Sequence, residues 1–406
     1  MPPLFEKVAA SEAVGEIMDD RPGRKVFSGL FFLVCLFFLN FTSRVIFSPL
    51  LPIIEGEFSF DHAAAASFFL LISAGYFCSI LLSGFVSARI NHKNTIVLST
   101  IASGIVLLLL GLCSTLPLMR IGLFSLGLAA GLYLPSGLAS ISSLVTPAYL
   151  ARGMAVHELA PNLGFIAAPI LADMMLRCCS WQQGLMWLGL LMIGAGVSYG
   201  MAGGGCHERG RSLDFLTSQA LLSRLDFWLM VLLFSLAICA SLGVYAMLPL
   251  FLVSDQGVTL ERANRLLAFS RIAALMMPLL AGWLGDRIGN RSVMVFVLLI
   301  AGLCTVLLGL ISFSPWLIAL VILQPMVAVC FFPSGFAVLS TLGPEGKGVL
   351  AISLCIPVAF LLGGGVLPVL IGVIGDYASI GVGFTVTGTA MMAGAALSFF
   401  VSSGKK

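Results

Sequence analysis

The chain has 406 residues, of which 59% are hydrophobic and only 10% charged, with a formal net charge of +3. Soluble globular proteins carry about 25% charged residues, so this balance excludes an ordinary soluble enzyme or a nucleic-acid-binding protein and predicts an all-α protein that crosses a lipid bilayer many times. Its ten cysteines do not read as a disulfide framework: most lie in or beside apolar stretches as small hydrophobes.

Residues 1–26 form a polar tail. No signal peptide with a small-residue cleavage site precedes the first apolar run, which is expected to stay in the mature protein. Hydropathy predicts twelve membrane-spanning helices, at roughly 27–54, 63–87, 94–115, 119–145, 152–176, 182–203, 226–252, 261–285, 292–313, 315–342, 348–375 and 379–402. If both ends are cytoplasmic, the outer side holds only Arg120, Arg177, Arg262 and Arg265, and nearly all other Lys and Arg fall inside. The positive-inside rule therefore places both termini in the cytoplasm, with the chain in the cytoplasmic (inner) membrane.

The first segment holds one arginine inside a long apolar run. About 20 residues cross the hydrocarbon core, so Arg44 lies far from either end of a helix over 27–54. A guanidinium there costs roughly 2.5 to 3.5 kcal/mol even on lenient scales and is expected to face a bundle interior or watery cavity. Asn40, Ser43, Arg44 and Ser48 fall on one helical stripe, which predicts the wall of a solute pathway. The competing reading is an arginine that satisfies neighbouring carbonyls or snorkels to the interface.

Tyr76, Tyr133 and Tyr245 stand near the middle of segments 2, 4 and 7. They are candidates, with Asn40, to hydrogen-bond a small polar solute, and packing is the alternative for each. Segment 5 contains His157, Glu158, Pro161 and Asn162. The proline frees the His157 carbonyl and bends the helix, and His157 and Glu158 are the candidate proton-coupling pair; a structural network with Arg152 competes with that reading. A His-Glu-x-x-His zinc site would need histidine at 161 and finds proline, so neither a metal nor a cofactor is expected.

Arg271, about eleven residues into segment 8, is the second mid-membrane arginine. With no acid at comparable depth in segments 1, 4, 7, 8 or 10, the two arginines imply a positive cavity that an anion would balance, and the guanidinium fork suits carboxylate, phosphate or nitrate. Alternatively Arg271 meets helix carbonyls or pairs with Glu158. Gly363, Gly364 and Gly365 in segment 11 read as hinge or packing.

The longest internal connection, 204–225, divides the chain into halves 27–203 and 226–402, with a short tail at 403–406. The halves repeat each other: Tyr133-Leu134-Pro135-Ser136-Gly137 is echoed by Phe331-Phe332-Pro333-Ser334-Gly335, and each is followed by a proline (Pro147, Pro344) and a basic turn (Arg152, Lys347). Parallel repeats of this kind bind substrate at their interface and rock about it.

Between segments 8 and 9, Gly282-Trp283-Leu284-Gly285-Asp286-Arg287-Ile288-Gly289-Asn290-Arg291 resembles the signature cytoplasmic loop of the major facilitator superfamily, Gly-x-x-x-Asp-Arg-x-Gly-x-Arg. The resemblance covers the whole chain and implies two pseudo-symmetric six-helix halves, with Asp286 and Arg287 latching the cytoplasmic side when the transporter faces outward. The matching loop between segments 2 and 3 departs from the pattern, with Ala88 for the aspartate and Asn91 for the second glycine. Asn40-Phe41-Thr42-Ser43-Arg44 is also similar to the first helix of the anion:cation symporters within that superfamily, although Ser43 replaces their aspartate. The expectation is a monomeric secondary transporter, not an enzyme, that moves a small anionic solute by proton symport or exchange. A proton-driven exporter of amphipathic compounds is the alternative, and a non-transporting membrane sensor a more distant one.

Overall fold

The computed structural model describes residues 24–146, 149–203, 206, 208, 209, 219, 221–342 and 348–400. Pro147, Pro344 and Lys347, with residues 1–23, residues 401–406 and most of the 204–225 linker, lie outside the described residues. Among those described, the chain is helical without strands. The first half comprises α1 (Arg24–Val45), α2 (Phe47–Phe58), α3 (His62–Gly111), α4 (Leu116–Gly131), α5 (Tyr133–Leu144), α6 (Leu150–Cys178) and α7 (Trp181–Ala202). The second comprises α8 (Leu225–Ile238), α9 (Val244–Ser254), α10 (Leu260–Ala274), α11 (Met277–Ile288), α12 (Asn290–Leu310), α13 (Pro315–Ala328), α14 (Phe331–Thr341), α15 (Gly348–Leu361), α16 (Leu367–Tyr377) and α17 (Ile380–Leu397). Single π-turns, Cys239–Gly243 and Leu362–Val366, join α8 to α9 and α15 to α16.

Among the described residues, eleven helical stretches are long and apolar enough to cross a membrane. One of them, α3, has 50 residues and at 1.5 Å rise would run about 75 Å, far beyond a core of about 30 Å. It breaks at Asn91, whose φ of 67° and ψ of 167° are not helical, and so crosses twice. The predicted twelve crossings are therefore present among the described residues, and an even number puts Arg24 and Phe400 on one face.

Local sequence explains where helices begin and bend. Asp61, Ser180, Ser314 and Ser379 accept N–H bonds at the starts of α3, α7, α13 and α17, satisfying donors that have no partner within the helix. Proline lies inside α2, α6, α9, α13 and α15.

The repeat is visible in the packing. Within the first half a Cβ on Gly104 would lie 2.6 Å from the Gly189 carbonyl oxygen, and within the second a Cβ on Gly302 would lie 2.7 Å from that of Gly388. Each pair lets two helices touch backbone to backbone. The repeated motif makes the same contact in each half: the Tyr133 ring lies against Gly137 within α5, and the Phe331 ring against Gly335 within α14.

The halves meet at the end remote from the termini. There Ser48 donates to the Tyr245 carbonyl at 2.7 Å, and the Asp376 carboxylate accepts from the N–H groups of His62 and Ala63 at 2.7 and 2.9 Å. Arg177 also pairs with Glu261 across the seam. Toward the terminal end the halves enclose a cavity.

Candidate substrate cavity

The cavity has a volume of about 390 Å³, within the range that holds a small organic ligand. Phe37, Phe41, Phe165, Phe332, Phe336 and Phe360 dominate its wall, and its polar groups are Arg44, Tyr76, Glu158, Asn162 and Ser241. Both halves contribute.

Arg44 lies in the last turn of α1. Its Nε donates to the Asn40 carbonyl at 3.4 Å, and its guanidinium carbon is 4.3 Å from the centroid of the Tyr76 ring and 5.2 Å from that of Phe41. Ring faces stabilise a desolvated cation by about 2 kcal/mol, which offsets part of the cost of holding Arg44 at 8% exposure. It makes no ion pair with a carboxylate among the described residues. Beyond it, toward the closed end, a void of about 30 Å³ is lined by Arg44, Ser48, Ser73, Tyr76 and Tyr245, enough for one water.

Glu158 enters from α6, one turn before Pro161. Its side chain is open to the cavity and forms no ion pair among the described residues. Asn162 donates to the Glu158 carbonyl at 3.0 Å, so the amide is held against its own helix. Cation and carboxylate thus line one apolar chamber.

Other sequence candidates lie elsewhere. Arg271 is not among the residues lining the cavity. Its guanidinium donates to the Ser241 carbonyl and hydroxyl and is 4.2 Å from the centroid of the Phe165 ring and 4.8 Å from that of Tyr245. The expectation that both arginines face one chamber is therefore corrected: the carbonyl and hydroxyl of Ser241 in the π-turn and two aromatic faces take up the charge of Arg271. Tyr133 is fully buried in the first half, donating to the Leu33 carbonyl at 2.6 Å.

His157 is likewise buried, stacked on Phe37 at 4.3 Å with its Nε2 3.2 Å from the Tyr133 hydroxyl. The His157–Glu158 pair is thus split, because neighbours in a helix point about 100° apart. Asn40 donates to the Ala130 carbonyl at 3.1 Å and ties α1 to α4, outside the chamber. Tyr245 donates to the Phe165 carbonyl at 3.1 Å and lines only the small void. Asp286 and Arg287 are exposed at the terminal end, Arg287 lying over Trp283 at 4.3 Å, and no ion pair joins them to the first half among the described residues.

Sequence reasoning missed Ser241, Leu242 and Phe360. The first two reach the cavity through the π-turn, a feature common at functional sites that has no hydropathy period to announce it.

The sequence profile of the Major Facilitator Superfamily matches residues 33–277 and 264–406. Among curated proteins, the chain is 25% identical over 301 residues to the membrane sensor protein UhpC of Salmonella typhimurium, covering 66% of this chain and 64% of that protein's length. It is 26% identical over 345 residues to YceJ of Bacillus subtilis, an uncharacterised transporter of the same superfamily type, covering 79% and 83% respectively. Among solved structures, a bacterial homologue of the human lysosomal transporter Spinster, in an inward-facing and occupied conformation, superposes with a TM-score of 0.78 over 93% of this chain and 97% of that one, at 14% identity. Twelve crossings, two repeated halves, a cavity between them and a profile match along nearly the whole chain lead to one conclusion: the protein belongs to the Major Facilitator Superfamily, a family of membrane transporters and not of enzymes.

Proposed function

We propose that the protein is a secondary active transporter that carries a small organic anion with an apolar, ring-sized body by alternating access. One observation carries this reading: Arg44 enters an aromatic chamber with no carboxylate paired to it among the described residues. Its fork would hold a carboxylate or phosphate, with Tyr76 beside it and the phenylalanines around the body of the solute. Arg271 fixes Ser241 from behind and does not touch the solute. Glu158, the one carboxylate among the described residues that line the chamber, serves as proton carrier. The charge bias of the loops supports cytoplasmic termini in a cytoplasmic membrane, which makes the present state inward-facing. Halves 27–203 and 226–402 rock about the chamber, and Asp286 and Arg287 latch the cytoplasmic side in the opposite state.

Two observations favour other readings. The aromatic wall would also suit a larger amphipathic compound carried outward, and one relative is named a membrane sensor. Thermal-shift screening of the purified protein against carboxylates, phosphates, inorganic anions and amphipathic cations, followed by flux in proteoliposomes, separates them, since a ligand that binds the fold raises its stability. Stabilisation by an apolar carboxylate or phosphate, with flux of the same compound, is expected. Binding without flux would favour the sensor, and stabilisation by cations alone would sink the anion reading.

A further inference from the structure

In α8 the Ser235 hydroxyl donates back to the Val231 carbonyl at 2.7 Å, as helical serines commonly do. Ser241, six residues on and inside the π-turn, does not. Its Oγ accepts from Arg271 at 3.4 Å, and its carbonyl accepts from the same guanidinium. A hydroxyl has one hydrogen and two lone pairs, so an Oγ that accepts from a cation turns its own hydrogen away from it. Among the described residues no acceptor takes that hydrogen. Ser241 is 5% exposed and lines the central chamber.

Arg271 has no carboxylate partner among the described residues, and its Nε meets no acceptor there. Its hydrogen bonds converge on Ser241. An O–H whose oxygen already accepts from a cation is the stronger donor, because hydrogen bonds in a chain polarise one another. Arg44 lies over Phe41, Arg271 over Phe165, and the two rings meet edge to face at 4.7 Å. Both rings line the chamber, so an anion held by Arg44 in the first half has an aromatic wall to follow toward Ser241 in the second.

Resting on the anion reading above, we infer that Ser241 is a second recognition point, which donates to a hydrogen-bond acceptor on the body of the solute, with Arg271 as its positioning residue. The solute class narrows to anions that carry an oxo, alkoxy or second carboxylate oxygen across a ring-sized body from the first charge. Such a solute touches both halves, as rocking about a shared site requires.

Dissociation constants of the purified protein for 3- and 4-acetylbenzoate and their isopropyl counterparts, in which a methyl replaces the ketone oxygen, test the inference. The acetyl and isopropyl forms of phenyl phosphate supply the second anion. Transfer into an apolar chamber alone favours isopropyl. The parent should nevertheless bind at least one acetyl form about tenfold more tightly than its counterpart, the value of one strengthened hydrogen bond. Ser241→Ala should remove that preference and Ser241→Thr, which keeps the O–H, should retain it. Arg271→Lys, which lacks the fork that holds Ser241, should lessen it without changing isopropyl binding, whereas Arg44→Lys should weaken both members of a pair alike. Should Ser241→Ala not fold, the comparison in the parent decides alone. Anions that bind through Arg44 with no preference for the ketone, or a preference that survives Ser241→Ala, overturn the inference and leave the anion reading standing. Failure of every one of these anions to bind the parent sinks both.

Discussion

Arg44 bears two constraints at once: a charge to neutralise and a plane to stack. Lysine keeps the first and loses the second, together with the bidentate fork, so on the proposed function Arg44→Lys should insert and fold but bind the anion one to two orders of magnitude more weakly. That follows from a loss of roughly 1.5 to 3 kcal/mol for a charged hydrogen bond in a desolvated site, and calorimetric titration of the ligand found by screening would measure it. If Glu158 is the proton carrier, as proposed, Glu158→Gln should abolish accumulation driven by a proton gradient and leave exchange between equal-pH compartments intact; survival of both would make Glu158 structural. Both residues stand out in the sequence because a charge inside an apolar run has few explanations. Arg271 was equally conspicuous, but its direction was not, since Ser241 is brought to it by a π-turn. Tyr133 and His157 misled for a related reason: depth in a segment reads as nearness to the axis, whereas their rings stack inside the first half.

At the scale of elements, hydropathy located every crossing, including the two that run together in α3, because composition alone excludes water from them. The break within α3 was not anticipated by any glycine. Gly289 turns the chain between α11 and α12 with a φ of 87°, and Asn91 does the same in the first half with a φ of 67°. Its Oδ1 accepts the Asn94 N–H at 2.9 Å, capping the helix that resumes. Asn91 thus combines backbone strain of order 1–3 kcal/mol with a cap worth about 1 kcal/mol. Asn91→Gly, which relieves the strain and costs only a few tenths at the cap position, should leave thermal stability unchanged or raised. Asn91→Ala, which keeps the strain and loses the cap, should lower it, and equal midpoints for the two variants would refute this account.

For the whole molecule, the repeated Pro-Ser-Gly helices made the two halves readable. Which end is closed was not readable, because one sequence serves both states and the seam is built largely from apolar faces of α2, α9, α3 and α16. The polar contacts there are few, which makes each a lever on the equilibrium. Asp376 is the clearest: its two carboxylate oxygens each accept an N–H from the first turn of α3, where a negative charge also meets the positive end of the helix. The contact joins the two halves and is lost when they part at this end. Replacing it by Asp376→Asn removes the charge and one acceptor at nearly constant shape, costing the closed end about 1–2 kcal/mol relative to the open one, or a factor of about 5–30 in their ratio. Pulsed electron resonance between spin labels on α3 and α16 near that end should then show a larger separated population in Asp376→Asn than in the parent. An unchanged distance distribution would mean that the apolar seam alone holds the gate and that Asp376 merely caps a helix.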